Sequence, residues 1–233
     1  MPNGVFITGT DTGVGKTTVA VGLVHLLRSR GSDVGVMKPV ATGGKRFGDK
    51  CLSEDVRLLI EAAGTKDPYE MVNPICLYAP AAPSIASKEE GRPIELEGIL
   101  RAFRMLKRSH QFLVVEGIGG LLVPINCNLF LADIAKKMSL PLIIVAKTSL
   151  GTINHTLLTI EAARKRRLKI AGIVLNSTNG PEDIKLLDSI KKELERLSGM
   201  HVLAVVPFIP EEDCIHPQQS LCTALKPLLN LFS

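Results

Sequence analysis

The sequence predicts an α/β protein of three layers, α/β/α, with a mostly parallel central sheet. Short apolar segments of strand length alternate along the chain with amphipathic segments of helical spacing. In a compact domain this alternation produces a parallel sheet that is covered by helices on both faces. A second observation agrees, because the first strand runs directly into a glycine-bearing turn, Gly13-Val-Gly-Lys-Thr17, that opens a helix.

The composition predicts one folded domain over residues 1–233. The chain has 233 residues, 45% of them hydrophobic and 22% charged, which is ordinary for a globular protein and argues against intrinsic disorder. No polar repeat or linker-like stretch divides it. A chain of this length is expected to bury a sizeable core.

The turn after the first strand is predicted to bind a nucleotide phosphate chain. Val5 to Thr10 form the strand, and Thr17 to Arg30 carry apolar residues at helical spacing. Backbone N–H groups of such a turn form a nest for phosphate, and the positive end of the helix dipole points at the same place. Lys16 is expected to reach the β- and γ-phosphates, and the Thr17 hydroxyl is expected to hold Mg²⁺.

The spacing makes this turn a variant P-loop. The common pattern GxxxxGK[ST] requires glycine at position 10, where this chain has Thr10, and Gly9 stands one residue earlier. A chance occurrence of Gly-Lys-Thr is the alternative, but the strand before it and the helix after it argue against chance. The fold is therefore expected to be P-loop NTPase-like.

Two further polar residues are expected near the carboxyl ends of strands, where ligands bind in open α/β sheets. Lys38 ends the apolar segment Asp33 to Val40, and it is either a solvated charge or a ligand-binding cation. Asp55 lies in the first turn of a helix for which Ser53 is a plausible N-cap. From the residues alone, Asp55 is better explained as a partner of the helix dipole than as a magnesium ligand.

Glu116 closes the apolar strand Gln111 to Gly117. A carboxylate in that place is costly to bury unless a positive charge answers it, and in P-loop proteins an acid there helps to hold Mg²⁺. Gly117 and Gly119 allow the backbone to approach a ligand closely. Upstream, residues 64–97 are rich in Pro and Gly and are expected to form a lid or substrate loop without clear elements before a helix over Glu97 to Ser109.

The remaining elements continue the alternation of strands and helices. His155 stands at a helix start, where a capping or packing role is favoured over that of a general base. The predicted elements are a strand over Pro141–Lys147, a helix through Arg166, a strand over Lys169–Leu175, a helix over Glu182–Leu197, a strand over Met200–Pro207 and a closing helix over Gln218–Leu231.

Charge and cysteine content exclude several classes of function. The net charge of +5 suits anionic ligands, and the absence of Trp argues against stacking on nucleic-acid bases, so no nucleic-acid partner is expected. The five cysteines are scattered and are expected to be reduced packing residues. No secretory signal or bilayer-length apolar run is present, so we expect a cytoplasmic protein without a membrane partner.

Four motifs together resemble dethiobiotin synthetase, the enzyme that closes the ureido ring in biotin synthesis. The resemblance runs from Val5 to about Glu211. Its motifs are Gly9-Thr-Asp-Thr-x-Val-Gly-Lys-Thr17, Lys38-Pro-Val-Ala-Thr-Gly43, Val115-Glu-Gly-x-Gly-Gly120 and Leu150-Gly-Thr-Ile-Asn-His155.

The resemblance implies a role for each matching residue. It makes Lys16 and Lys38 the catalytic cations, and it replaces the dipole interpretation of Asp55 by a magnesium ligand set of Thr17, Asp55 and Glu116. The implied nucleotide-binding residues are Gly13, Val14, Gly15, Lys16, Thr17, Thr18, Asp55, Glu116, Gly117, Gly119, Asn176, Pro207 and Glu211. The implied substrate-binding residues are Thr12, Lys38, Thr42, Gly151 and Asn154.

The implied reaction uses 7,8-diaminononanoate, CO₂ or bicarbonate, and ATP or another nucleoside triphosphate with Mg²⁺. A carbamate of the diamine attacks the γ-phosphorus, and the second amine closes the ring and expels phosphate. The segment around Gly151 implies a homodimer, because in the family it reaches the substrate of the neighbouring subunit. Two residues differ from the common pattern: Gly13 replaces Glu, and Thr42 replaces Ser.

Two other functions use a similar loop. An ATPase switch of the partitioning or nitrogenase iron-protein type carries a signature lysine early in the loop, and Asp11 stands there in this chain. A P-loop kinase would instead transfer phosphate to a stable product.

Overall fold

The computed structural model describes residues 3–178, 180, 183–209 and 217–232. Strands and helices alternate along these residues. In chain order they are β1 (Gly4–Gly9), α1 (Lys16–Arg28), β2 (Val34–Met37), β3 (Val40–Ala41), β4 (Lys45–Phe47), β5 (Lys50–Leu52), α2 (Glu54–Ala63), α3 (Tyr69–Val72), β6 (Ile75–Cys76), α4 (Pro83–Glu89), α5 (Leu96–Ser109), β7 (Phe112–Gly120), β8 (Pro124–Asn126), β9 (Leu129–Phe130), α6 (Leu131–Met138), β10 (Leu142–Lys147), α7 (Thr152–Lys165), β11 (Ile170–Asn176), α8 (Ile184–Ser198), β12 (Val202–Val206) and α9 (Pro217–Leu225), which a 3₁₀ helix (Lys226–Leu231) follows.

The central sheet has six strands in the order β12-β11-β10-β1-β7-β2, and every neighbouring pair is parallel. All residues of β1 are buried, as expected for a strand that is covered on both faces. From β1 the chain continues to β2 and β7 on one side of the sheet, and it later forms β10, β11 and β12 on the other side. The carboxyl end of β1 is therefore a topological switch point, where ligands of such sheets bind.

Helices cover both faces of the sheet. On one face, α1, α2 and α9 pack on the sheet through a core that includes Leu23, Leu59 and Leu225. On the other face, α5 and α6 contribute Leu106 and Ile134, and α7 and α8 continue this layer beside β10 and β11. The three-layer arrangement and the parallel sheet are confirmed. Among the described residues, no helix combines the length and apolar character needed to cross a membrane.

The structure corrects the boundaries of several predicted elements. The strand predicted over Asp33 to Val40 ends at Met37, because the chain leaves the sheet at Lys38 and Val40 pairs with Ile75 of β6 instead. Ser53 precedes α2, but its side chain makes no capping hydrogen bond. The predicted closing helix changes to a 3₁₀ helix at Lys226, beside Pro227.

The segment 64–97 is more regular than its Pro content indicates. It contains α3, β6 and α4, so the expectation of a segment without clear elements was wrong. Proline opens α4 at Pro83, in the first turn, where a missing N–H costs nothing. The β8–β9 hairpin and α6, which had no counterpart in the sequence prediction, follow the central strand β7.

Candidate active site

The turn between β1 and α1 wraps around the Lys16 side chain. Gly13 and Gly15 adopt positive φ angles of 70° and 85°. The Lys16 Nζ donates a hydrogen bond to the Asp11 carbonyl oxygen at 2.9 Å, and Lys16 is buried. Burial lowers the pKa of Lys16 to about 8, although the negative charge of Glu116 opposes the shift. The loop thus holds a desolvated cation close to its backbone N–H groups.

Asn176 fixes this turn from the end of β11, which lies two strands away from β1 in the sheet. It is the last residue of β11, and its amide nitrogen donates to the Val14 carbonyl oxygen at 3.0 Å. A β-carbon at position 15 would overlap that amide nitrogen, so glycine is required there for space as well as for its φ angle. Asn176 therefore contacts the P-loop itself.

Lys38 and Glu116 meet beside the loop because β2 and β7 are adjacent strands. Lys38 follows β2, and Glu116 lies within the neighbouring strand β7. The Lys38 Nζ lies 2.6 Å from Glu116 Oε1 and 2.5 Å from Asp55 Oδ2 in the first turn of α2. The Thr17 hydroxyl donates to the same Glu116 oxygen at 2.8 Å.

Lys38 and Asp55 each favour the charged form of the other. Burial acts to lower the pKa of Lys38, but the charges of Glu116 and Asp55 outweigh it and raise the pKa above its usual value. Burial likewise acts to raise the pKa of Asp55, yet the charge and hydrogen bond of Lys38 hold that pKa below its usual value. The second Glu116 oxygen, Oε2, is buried without a hydrogen-bond partner among the described residues.

These residues line a cavity of about 580 Å³ at the carboxyl edge of the sheet. Its floor is the P-loop, and its far wall is the segment that follows β12. Its lining residues are Thr12, Gly13, Gly15, Lys16, Thr17, Thr18, Lys38, Thr42, Asp55, Glu116, Ile118, Gly119, Asn176, Ser177, Thr178, Val206, Pro207, Phe208 and Ile209. Its volume is in the range typical of sites for small ligands and cofactors.

Comparison with known proteins assigns the chain to a family. A protein-family model described as an AAA domain matches residues 3–214. An ATP-dependent dethiobiotin synthetase BioD from Anaeromyxobacter dehalogenans is 45% identical over 208 residues, which cover 89% of this chain and 91% of that protein. The same enzyme from Bacillus subtilis subsp. natto is 39% identical over 88% of this chain and 87% of that protein. The chain belongs to the dethiobiotin synthetase family.

Solved structures agree with the fold alone. The MinD cell division protein of Aquifex aeolicus is 14% identical, with a TM-score of 0.59 over 98% of this chain and 97% of that one. MinD of Pyrococcus furiosus gives a TM-score of 0.54 at 16% identity over 99% of this chain and 100% of that one. Both support a P-loop NTPase fold for this dethiobiotin synthetase relative. Identity this low carries no information on its reaction.

Most of the residues that the family resemblance had indicated reach the cavity of about 580 Å³. Val14 and Gly117 do not, since both are buried beneath it. Glu211 lies outside the described residues. The sequence interpretation missed Ser177 and Thr178, which directly follow Asn176 at the carboxyl end of β11. Lys38 was selected because ligands bind near the carboxyl ends of strands, and the same reasoning could have identified Ser177 and Thr178.

Gly151 and Asn154 lie elsewhere, exposed at the start of α7. Close to them is a second cavity of about 410 Å³, lined by Thr10, Asp11, Gly120, Leu121, Leu122, Val123, Pro124, His155, Leu158, Thr159 and Ala162. Of these residues, Thr10, Asp11 and Gly120 lie at the carboxyl ends of β1 and β7, which also border the main cavity. His155 is exposed and lines it, so the expected packing role of this histidine was wrong.

Proposed function

We propose that this chain makes dethiobiotin from 7,8-diaminononanoate, CO₂ or bicarbonate, and ATP, as a step of biotin biosynthesis. It is an ATP-dependent ligase that forms C–N bonds, as the family assignment establishes. The observation that carries the finer proposal is the position of Lys38. Its ammonium group stands beside the P-loop, against Glu116 and Asp55, where a carbamate and the γ-phosphate would meet.

The geometry supports a triphosphate on the loop. Thr17 and Thr18 open the first turn of α1 behind the loop, so the positive end of that helix faces the cavity. Lys16 adds a cation for the β- and γ-phosphates. The residues that follow β12, Pro207 to Ile209, form the wall that we assign to the nucleotide base.

The chain's residues fit a magnesium ion. Mg²⁺ prefers hard oxygen ligands and is usually held by one or two carboxylates together with phosphate oxygens and water. Thr17, Asp55 and Glu116 supply one hydroxyl and two carboxylates within one cluster, and the unpartnered Glu116 Oε2 leaves an acceptor for it. When bound, the ion would neutralise charge on the phosphates.

The reaction needs positioning and fixed positive charge more than covalent chemistry by the protein. One amine of the substrate attacks CO₂ and loses a proton, which gives a carbamate. A carbamate oxygen then attacks the γ-phosphorus, and ADP leaves. The second amine attacks the carbonyl carbon of the mixed anhydride, the ring closes, and phosphate leaves.

In this scheme Lys38 holds the carbamate. Its pKa is raised, so its ammonium group is positively charged at neutral pH, and that group lies beside the proposed γ-phosphate position. Lys16 stabilises negative charge on the phosphoryl oxygens. Thr42 and Thr12, which border the same cavity, would hydrogen-bond the diamine. The desolvated surroundings of both lysines increase the strength of these interactions.

The proposal includes a cytoplasmic homodimer. Gly151 and Asn154 are exposed and lie outside the main cavity, so they would contact substrate only in a neighbouring subunit. Exposed Leu122 and Leu158 line the second cavity, and with exposed Leu150, which precedes Gly151, they offer apolar surface for that contact. ATP and bicarbonate would be drawn from the cytoplasm.

Phosphate release by the purified protein tests the reaction. We expect release only when diaminononanoate, bicarbonate and ATP are all present, with one dethiobiotin formed for each phosphate. Hydrolysis at the same rate without the diamine would instead favour a switch ATPase, and a stable phosphorylated product would favour a kinase. Sedimentation with and without Leu158→Glu tests the dimer.

A further inference from the structure

A small hairpin outside the proposed mechanism lies next to the substrate side of the site. It consists of β4 and β5, which pair antiparallel, and it follows the turn that contains Thr42. Two side-chain contacts connect it to neighbouring segments. The Arg46 guanidinium lies 5.0 Å from the centroid of the Tyr78 ring, and Lys50 Nζ lies 2.7 Å from Glu70 Oε1.

Beneath these contacts, the thiols of Cys51 in β5 and Cys76 in β6 converge. They are close enough to hydrogen-bond each other, and Cys76 also contacts the Tyr69 hydroxyl. Both sulfurs pack over Gly44, where a β-carbon would overlap the two of them at once and would lie 2.7 Å from the Cys76 sulfur. A glycine at this point leaves room for the two sulfurs to meet.

We propose that Cys51 and Cys76 form a redox modification site that closes reversibly to a disulfide when a peroxide reaches Cys51. The two sulfurs come from segments 25 residues apart in the chain, and both pack over Gly44 within hydrogen-bonding reach of each other, so a disulfide requires them to move closer together. Exposure differs between them, since Cys51 is partly exposed and Cys76 is buried. This difference assigns their order of reaction.

The chemistry begins at Cys51. Its thiolate attacks one peroxide oxygen, the O–O bond breaks, and the products are a sulfenic acid on Cys51 and water. Cys76 then attacks the Cys51 sulfur, its proton leaves with the sulfenic hydroxyl as a second water, and the S–S bond forms. Burial raises the pKa of Cys76 to about 12, so the partly exposed Cys51 is the thiol that peroxide oxidises first, and the adjacent Cys76 is the group that can then resolve the sulfenic acid.

The disulfide would act on the site through two backbone connections. Gly44 N–H donates to the Leu77 carbonyl oxygen at 3.0 Å, so the turn after Thr42 is already attached to the segment after β6. On the other side, β5 leads into α2, and Asp55 is four residues beyond Cys51. A covalent bond between β5 and β6 would therefore restrain Thr42 and Asp55 together, and we expect it to slow turnover.

Peptide mapping under non-reducing conditions tests the modification directly. The full-length protein is treated with hydrogen peroxide, remaining thiols are alkylated, and the digest is analysed by mass spectrometry. We expect a cross-linked peptide that contains Cys51 and Cys76 and is two hydrogens lighter than the two thiol peptides. Dithiothreitol should remove it. Oxidation of Cys51 to sulfinic acid without this cross-link, or a cross-link to another cysteine, would overturn the proposal.

Cysteine variants test whether the disulfide slows turnover. In the wild type, we expect peroxide to lower the rate of dethiobiotin formation several-fold and dithiothreitol to restore it. In Cys51→Ser and in Cys76→Ala, peroxide should leave the rate unchanged, while the matched control Cys127→Ser, at an exposed cysteine, should respond like the wild type. A cross-link that forms without any change in rate would refute the coupling to the site.

Discussion

The Lys38 ammonium group and the Glu116 carboxylate form an ion pair, 2.6 Å apart, with 5% and 1% of their side chains exposed. Such a pair offsets the cost of desolvating both charges only while both partners are present. Thr17 donates to the same Glu116 oxygen, so the pair connects the P-loop to the central strand β7. The cation proposed for catalysis therefore also contributes to stability.

Removal of Lys38 should destabilise the fold through the carboxylate that remains. We expect Lys38→Met to lower the free energy of unfolding by roughly 3–5 kcal/mol, because Glu116 would be buried without its ion-pair partner. Adding Glu116→Gln should recover part of the loss. Urea denaturation of the wild type, both single variants and the double variant measures the coupling. If the losses in free energy of unfolding of the two single variants simply add in the double variant, this account is wrong.

Lys38 and Lys16 should separate in their effects on binding and chemistry. Lys38→Met should keep ATP affinity within a few-fold and lower the rate of ring formation by about 10²–10³-fold, since one electrostatic stabiliser of the reacting groups is lost. Lys16→Met should weaken both, because Lys16 lies within the phosphate loop. Calorimetric titration of ATP and a dethiobiotin assay measure the two effects. An unchanged yield in Lys38→Met would remove Lys38 from the mechanism.

The two positive-φ glycines of the loop provide a matched pair. Gly13→Ala and Gly15→Ala both place a β-carbon on left-handed backbone, which costs about 1–2 kcal/mol. At Gly13 that β-carbon meets nothing within 4 Å, whereas at Gly15 it overlaps the Asn176 amide. We expect Gly15→Ala to weaken ATP binding by a further factor of about 10, which corresponds to about 1.4 kcal/mol.

The role of Asn176 in that difference can be isolated. In an Asn176→Ala background the overlap disappears, so Gly15→Ala should cost no more ATP affinity than Gly13→Ala does. The hydrogen bond to Val14 is absent from both members of this comparison. A persistent tenfold difference between the two alanine variants would locate the effect in the loop backbone instead.

The alternation of apolar and amphipathic segments predicted the layers and the parallel sheet because both depend on local periodicity. The approach of Lys38 to Glu116 was predictable only as a shared edge of the sheet, since both were expected near the carboxyl ends of strands. Their pairing at 2.6 Å depends on the adjacency of β2 and β7. The sequence does not state which strands become neighbours.

Other contacts depend on positions far apart in the chain and left no local signal. Asn176 reaches Val14 across 162 residues, although its residue type alone fits many roles. Cys51 and Cys76 show no paired spacing in the sequence, so they were predicted to be separate packing residues. Their convergence over Gly44 follows from the pairing of β3 with β6 and from the β4–β5 hairpin.

The stability of the protein should depend on pH through His110. Its Nδ1 lies 2.9 Å from Asp33 Oδ1, and its Nε2 lies 2.8 Å from Asp67 Oδ2, so the doubly protonated ring satisfies both carboxylates. Burial acts to lower the pKa of His110, but hydrogen bonds to Asp33 and Asp67, together with their charges, raise it above its usual value of 6.5.

A raised pKa in the folded state fixes the sign of the effect. The stabilisation is complete below the unfolded-state pKa of about 6.5, and it is lost as the pH rises through the higher folded-state pKa. We expect the free energy of unfolding to fall as the pH rises above about 6.5 and the slope to flatten in His110→Gln. Urea denaturation at several pH values on both sides of 6.5 measures this free energy. His201→Gln, at a side chain that is 92% exposed, is the control and should keep the wild-type slope. A wild-type slope in His110→Gln would assign the pH dependence to other groups.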